Sequence, residues 1–245
     1  LVLIAVALTP VVFVAILTFM YPPQAVDFIH NLSDARTLWV FGDNAMIVPP
    51  DAHPFPVAQS FDHEAAPYGP LWFLLLFPVK FLPADNLQLQ LHVLKLYTSL
   101  WFLGSTLLVY VITRRLKPGR ELFAVVLYAW NPFIVIRLAG NGHNDGTLMF
   151  FALLAIWLYL GGHHRWVLPA LAASVLVKYV TVLAVPPLIL AGFLAAQDRR
   201  RYVLDTAIGG ALALLLVVAS FAYFWEGSTT FDVLRDQGFM KGFGI

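Results

Sequence analysis

The sequence predicts an all-helical (all-α), polytopic membrane protein with about seven transmembrane helices and a long outer first loop that contains short juxtamembrane helices. Hydrophobic residues make up 60% of the 245 residues and charged residues only 12%, a composition typical of membrane-embedded chains. The apolar residues are grouped into seven long segments, and a polar stretch at residues 21–86 separates the first two of them. Composition and segmentation together exclude an ordinary soluble domain.

The apolar segments predict the membrane spans. Residues 1–20 carry no charge and are long enough to cross a hydrocarbon core of roughly 30 Å. A shorter apolar run at 68–83 is bounded by prolines, and we expect it to lie at the membrane interface. The six other predicted spans are residues 87–113, 122–138, 146–160, 166–177, 180–196 and 206–224.

The polar first loop is the longest interruption of the apolar pattern, and loops of this length usually carry function. Ser33 followed by Asp34 predicts the capped start of a short helix that ends near Phe41. Several histidines and acidic residues in the loop follow no metal-ligand spacing, so we expect no metal site. These residues are Asp51, His53, Asp62, His63 and Glu64.

The basic residues of the short loops predict the orientation, because Lys and Arg are enriched on the cytoplasmic side. Residues 114–120, Arg165 and residues 199–201 carry these charges. Placing them on one side requires residues 166–196 to form a hairpin of two short helices with its apex near Lys178. The first loop, the polar turn at 141–146 and Lys178 then share the outer side.

The polar turn Asn-Gly-His-Asn-Asp-Gly at residues 141–146 places four polar side chains between two apolar segments. One interpretation is a helix-connecting turn in which Asp145 caps the following helix. The alternative is that the turn forms part of a binding or reaction site at the membrane surface.

An outer site with carboxylates and cations at the membrane boundary suits transfer from a lipid-phosphate donor. Lys178 can supply a compact positive charge for the phosphate, and Arg137 is a second candidate. Both side chains could instead reach interfacial water without binding a ligand. A sugar hydroxyl acceptor needs a general base, and Asp34 and Asp27 are the loop carboxylates nearest the first span.

Four short motifs occur in an order that resembles a known family. They are Ala66-Pro-Tyr-Gly-Pro-Leu-Trp72, Asn131-Pro132, Gly142-His-Asn-Asp145 and Lys178-Tyr179. The chain is similar in these motifs to bacterial integral-membrane glycosyltransferases of the GT-C fold. The resemblance is greatest to the polyprenol-phosphate-mannose-dependent mannosyltransferases, which include alpha-1,6-mannosyltransferases, and it covers most of the chain.

The resemblance implies an inverting sugar transfer on the extracytoplasmic face of the plasma membrane. Asp34 or Asp27 would be the catalytic base, and Lys178 would bind the lipid phosphate. The remaining donor-site candidates are Arg137, His143, Asn144, Asp145 and Tyr68. The family's donor is a polyprenyl-phosphate sugar, here expected to carry mannose, and it is a substrate. We therefore expect no cofactor and no divalent metal.

We expect a single membrane-embedded, glycosyltransferase-like domain over residues 1–245, with the outer loop at 21–86. Because the chain starts with Leu and stops within a polar stretch, we take it as part of a longer protein. The expected partners are the polyprenyl-phosphate sugar, membrane lipids and a glycan or lipid-linked acceptor. The net charge of +1 gives no indication of nucleic-acid binding.

Two other functional classes fit a membrane protein of this kind. The first is a non-catalytic subunit that retains the fold within a larger membrane complex. The second is a transporter or flippase, because ionisable residues near membrane depth often mark a transport pathway. The clustering of polar groups on one side and the long first loop argue against alternating access.

Overall fold

The computed structural model describes residues 2–20, 25–49, 52–53 and 67–232, and within these ranges it contains helices, turns and loops but no strand. The α-helices of this part are α1 (Val2–Phe19), α2 (Ala25–Arg36), α3 (Pro70–Leu75), α4 (Leu87–Leu116), α5 (Glu121–Ala129), α6 (Pro132–Val135), α7 (Asp145–Leu160), α8 (His164–Val177), α9 (Val185–Ala195) and α10 (Arg199–Phe221). Wider π-type turns extend α2 over Thr37–Phe41 and α6 over Ile136–Gly140. Tighter 3-10 turns follow α3, α8 and α10 at Phe77–Phe81, Tyr179–Ala184 and Gly227–Phe231.

Each predicted span coincides with helical structure, but not every helix is long enough to cross a membrane. In the described part of the chain, α4 and α10 are long and apolar enough to do so. A third candidate is the pair Glu121–Ala129 and Pro132–Gly140, which is bent by 57° at the break between them. The four remaining predicted spans are shorter apolar helices, below the roughly 20 residues that a straight crossing needs. The structure thus supports two or three spans, and seven remains a prediction.

The long helices pack side by side. Helix α10 lies along α8, α8 along α7, and α7 along α4, while α4 also contacts α1 and α5. Gly209 of α10 sits so close to α8 that a Cβ atom there would be 2.7 Å from the carbonyl oxygen of Arg165. Small residues allow such close backbone approach between apolar helices. The short helix α3 packs directly against α8 and α10, and α2 packs against α4 and the 3-10 turn at Phe77–Phe81.

The first loop differs from the prediction in where its helix begins. Helix α2 starts at Ala25, and Ser33 lies buried in its last turn instead of capping a new helix. Phe28, Leu32 and Ala35 follow a helical spacing and are all fully buried. This apolar stripe on the helix outweighs the preference of Ser33 for an N-cap position. The predicted helix start at Ser33 is therefore wrong.

One hydrophobic core holds the first loop against the long helices. Helix α2 contributes Phe28 and Leu32, α3 contributes Trp72, α7 contributes Leu148, and α8 contributes Val177. Residues from the first loop and from α7 and α8 are thus buried in a single cluster. Because interiors of this kind are closely packed, the elements that carry the candidate residues are held in fixed relation to each other.

Lys95 attaches α1 to α4. Its side chain is fully buried, and the ammonium group donates hydrogen bonds to the carbonyl oxygens of Leu17 and Met20. These carbonyls belong to the end of α1, where the last turn has no partners within the helix. The lysine therefore satisfies the helix terminus, and this contact explains its burial without a ligand.

We expect Lys95→Met to lower the free energy of unfolding by about 1–3 kcal/mol, because it removes both hydrogen bonds from the ammonium group to the end of α1. Methionine keeps most of the apolar stem, so the change tests the ammonium group. Thermal unfolding in detergent measures the effect, and Lys117→Met, in an exposed loop, is the control. Equal unfolding temperatures for the two variants would show that the ammonium group does not stabilise α1.

Candidate functional site

The side chains of Lys178, Asp145 and Arg137 form an ion-paired cluster. The Lys178 ammonium donates to Oδ1 of Asp145 at 2.8 Å, and Nη2 of Arg137 lies 3.9 Å from Oδ2 of the same carboxylate. The three side chains are 36%, 29% and 34% exposed, respectively. The cluster therefore lies at an accessible edge of the protein, where a ligand can reach both cations.

Lys178 occupies the break in the predicted hairpin. Helix α8 ends at Val177, and the backbone of Lys178 is extended, with φ −154° and ψ 122°. Ser174, one turn earlier, donates a hydrogen bond from its hydroxyl to the carbonyl oxygen of Leu148 at 2.8 Å. This bond fixes the end of α8 against the first turns of α7. The Lys178 side chain is thereby held next to Asp145 at the start of α7.

Asp145 does not cap α7, contrary to the first interpretation of the polar turn. The helix begins at Asp145 itself, and the side chain of the preceding N-cap residue, Asn144, accepts no capping hydrogen bond. The Asp145 carboxylate instead contacts the two cations. A carboxylate in the first turn also interacts favourably with the helix dipole, so the position is suited to a negative charge.

The polar turn itself is buried around this carboxylate. Asn141, His143, Asn144 and Thr147 are all shielded from solvent. Both side-chain polar atoms of Asn144 and the hydroxyl of Thr147 have no hydrogen-bond partner in the part of the chain that the structure describes. Buried polar atoms of this kind are uncommon in native proteins and costly when they are unsatisfied. They indicate a region where a further polar group can be bound.

Gly142 brings the turn into contact with the first loop. Its φ is +61°, and a Cβ atom there would lie 2.5 Å from the ring of Phe28 in α2 and 2.9 Å from the hydroxyl of Thr98 in α4. Glycine is the residue that tolerates both the left-handed backbone and this approach. The spacing between α2 and the polar turn is therefore determined by a glycine of the motif.

The Tyr68-Gly69-Pro70 motif packs against the end of α8. The backbone N–H of Gly69 donates to the carbonyl oxygen of Val177 at 3.2 Å. The Tyr179 hydroxyl is 3.5 Å from the carbonyl oxygen of Tyr68. Pro70 is the first residue of α3, a position that favours proline. Two of the sequence motifs, Tyr-Gly-Pro and Lys-Tyr, thus meet at one junction.

Asp34 lies in the last turn of α2, and its side chain is only 1% exposed. Burial raises the pKa of the Asp34 carboxyl well above its usual value of 3.8, because desolvation disfavours the charged form. In the described part of the chain, Oδ2 of Asp34 has no hydrogen-bond partner. The carboxyl is therefore shielded from solvent within the described part of the chain. Asp27 lies in the first turn of α2, and its side chain is outside the described part of the chain.

Two hydrogen bonds that the sequence did not reveal anchor the last turns of α2. The Trp72 indole N–H donates to Oδ1 of Asn31 at 3.1 Å, and Arg36 donates to Oε1 of Gln90 at 2.7 Å. Asn31 and Arg36 are three residues before and two residues after Asp34. Trp72 was the sequence signal for the first of these bonds, because a buried indole N–H usually needs an acceptor.

The described residues contain no group of three or more metal-ligating side chains. His53 pairs with Asp43 at 2.8 Å and stacks on Phe41, which accounts for its position. The other loop residues considered as ligands lie outside the described part of the chain. They are Asp51, Asp62, His63 and Glu64.

Comparison with protein families identifies the chain. A model of the MptA_B family, described as alpha-(1->6)-mannopyranosyltransferase, N-terminal domain, matches residues 43–196, which is more than half of the sequence. The chain belongs to this family. No match to a curated protein or to a solved structure was found. Membership of a mannopyranosyltransferase family confirms the resemblance found in the motifs and supports a role in mannosyl transfer.

The range matched by the mannopyranosyltransferase family includes the ion-paired cluster, the polar turn and Tyr68. Asp27 and Asp34 precede the range. The match covers Lys178, Asp145 and Arg137 without assigning a role to any of them, and the assignment of a base in α2 depends on the first-loop argument.

Proposed function

We propose that the protein transfers mannose from a polyprenyl-phosphate-mannose donor to a lipid- or glycan-linked acceptor at the outer face of the cell membrane. The observation that carries this proposal is the pair of accessible cations, Lys178 and Arg137, around one carboxylate in a mannopyranosyltransferase domain. Two cations beside a buried polar turn and next to apolar helices suit a donor with a charged phosphate and a lipid tail.

In the proposed reaction, the acceptor hydroxyl oxygen attacks the anomeric carbon of mannose as the bond from that carbon to the phosphate oxygen breaks. The bonding electrons leave with the phosphate, and the product is polyprenyl phosphate. A base takes the hydroxyl proton, for which we assign Asp34, with Asp27 as the second candidate. Attack from the face opposite the leaving phosphate inverts the anomeric configuration.

Lys178 and Arg137 would stabilise the negative charge that develops on the leaving phosphate, because preorganised cations lower the energy of such a transition state. Arginine binds phosphate through a planar fork and lysine as a point charge, so the two complement each other. His143 and Asn144 would supply polar contacts to the donor sugar from the buried turn, and Tyr68 lies at the adjoining junction.

Lys178→Gln tests the phosphate assignment. We expect it to lower kcat/KM for the donor by about tenfold or more, because a hydrogen bond to a charged group is worth about 1.5–3 kcal/mol. Transfer of labelled mannose from polyprenyl-phosphate-mannose in proteoliposomes measures the effect. Lys117→Gln makes the same change in an exposed loop and should leave transfer unchanged.

Unchanged transfer by Lys178→Gln would overturn the phosphate assignment. Absence of transfer by the wild-type protein with any polyprenyl-phosphate sugar, together with co-purification of a stoichiometric partner, would instead favour the non-catalytic subunit.

A further inference from the structure

Asp145 is the shared counter-ion of Lys178 and Arg137, so its charge affects how strongly the site binds phosphates of different charge. Its two carboxylate oxygens point to different partners, Oδ1 to Lys178 and Oδ2 to Arg137. Two positive charges and one negative charge leave the cluster with one net positive charge. The carboxylate thus occupies part of the space between the cations and reduces the field that a phosphate experiences there.

The donor and the product of the proposed reaction carry different charges. A sugar phosphodiester has one ionisable oxygen and carries one negative charge. The phosphate monoester released by transfer carries between about −1.5 and −2 charges at pH 7, because its second pKa is near 6. A cluster with one net positive charge neutralises the diester, but binding of the monoester leaves an excess negative charge beside Asp145.

We propose that Asp145 sets the selectivity of this site for the phosphodiester donor over the phosphate monoester product and thereby promotes product release. The inference rests on the proposed function, since it concerns the same phosphate site. Asp145 acts through the two cations and is a positioning residue that need not touch the substrate. The polar turn keeps the carboxylate at this point, because Asp145 is the first residue of α7 and the preceding Gly142 packs against α2.

Asp145→Asn provides the quantitative test. Coulomb energy is proportional to the charge of the ligand, so removal of the carboxylate should strengthen monoester binding by the larger factor. We expect about threefold tighter binding of the diester and about five- to tenfold tighter binding of the monoester, given that the side chains are partly exposed and screened. Steady-state transfer by the same variant should show a lower donor KM, a lower kcat and stronger inhibition by polyprenyl phosphate.

The direct measurement is equilibrium binding to the purified full chain in lipid nanodiscs. The probes are a short-chain polyprenyl phosphate and the mannosyl phosphodiester of the same lipid, so the experiment does not require turnover. Asp145→Glu restores the negative charge and should return the ratio of the two dissociation constants towards that of the wild type. Asp198→Asn is the matched control, because asparagine retains the N-cap of α10 and makes the same change in net charge away from the cluster.

The outcomes separate this inference from the proposed function. If the wild type binds both probes and Asp145→Asn changes both affinities by the same factor, or neither of them, Asp145 does not set the selectivity and the inference fails. If the wild type binds neither probe, the assignment of these residues as a phosphate site is wrong, and the proposed function fails with it. A change in the affinity ratio with Asp145→Asn, and its reversal with Asp145→Glu, supports the inference.

Discussion

Asp34→Asn is expected to lower mannosyl transfer by about 10²- to 10⁴-fold, the usual contribution of a general base. Asparagine has nearly the same shape as aspartate but cannot take the proton of the acceptor hydroxyl. The measurement is single-turnover transfer from polyprenyl-phosphate-mannose in proteoliposomes. Asp85→Asn makes the same change at an exposed position before α4 and should retain wild-type activity.

The same substitution should not destabilise the protein at neutral pH, and this distinguishes loss of a base from loss of the fold. Burial raises the pKa of Asp34, so the folded protein keeps the proton at pH values where the unfolded chain has lost it. Stability therefore falls as pH rises from about 4 through the folded-state pKa. Asparagine does not ionise, and the variant should be at least as stable as the wild type between pH 5 and 8, as measured by thermal unfolding in detergent.

The pH dependence of transfer follows from the same shift. A base must be deprotonated before it can accept a proton, so the rate should increase with pH up to the raised pKa of Asp34 instead of reaching its plateau near pH 4. Full turnover by Asp34→Asn would show that Asp34 is not the base. Asp27→Asn would then be the next variant to measure, and activity in both would contradict a carboxylate base on α2.

The helical fold was predictable because its main signal is local. Apolar segments in the sequence correspond to helices, and the break at Lys178 follows from charges in the neighbouring loops. The start of α2 was not predicted, because the preference of Ser33 for a cap is a local signal, whereas burial of Phe28 and Leu32 depends on contacts with distant elements. The length of each helix likewise depends on packing that periodicity does not reveal. The 57° bend after α5 instead has a local signal, because Pro132 begins α6 and proline interrupts a continuous helix.

The composition of the candidate site was predictable to a lesser degree. Lys178, Asp145 and Arg137 could be selected from the sequence because charge is rare in apolar surroundings, and the structure brings these three together. Their pairing could not be predicted, since Lys178 follows α8 and Asp145 begins α7. The burial of Asp34 could not be predicted either, because a polar loop suggests exposure and the core that covers α2 includes side chains from α3, α7 and α8.

The largest effect on folding is expected for Gly69→Ala. A Cβ atom at this position would lie 2.1 Å from the carbonyl oxygen of Leu176 and 2.5 Å from its carbonyl carbon. Both atoms belong to the backbone of α8 and cannot move aside as a flexible side chain would. We expect a loss of several kcal/mol, more than the roughly 1–3 kcal/mol typical of overpacked cores. The unfolding transition in detergent measures this loss.

Gly210→Ala is the matched control, because the atom nearest to its added Cβ is a leucine side-chain carbon at 3.9 Å and alanine favours the helix. It should be neutral or slightly stabilising. If Gly69→Ala unfolds at the same temperature as this control, then the Tyr-Gly-Pro motif does not approach α8 this closely.

If Gly69→Ala remains folded at low temperature, it should still transfer mannose poorly. Displacement of Gly69 from Leu176 moves the chain next to Lys178, so the position of the phosphate-binding cation depends on this glycine.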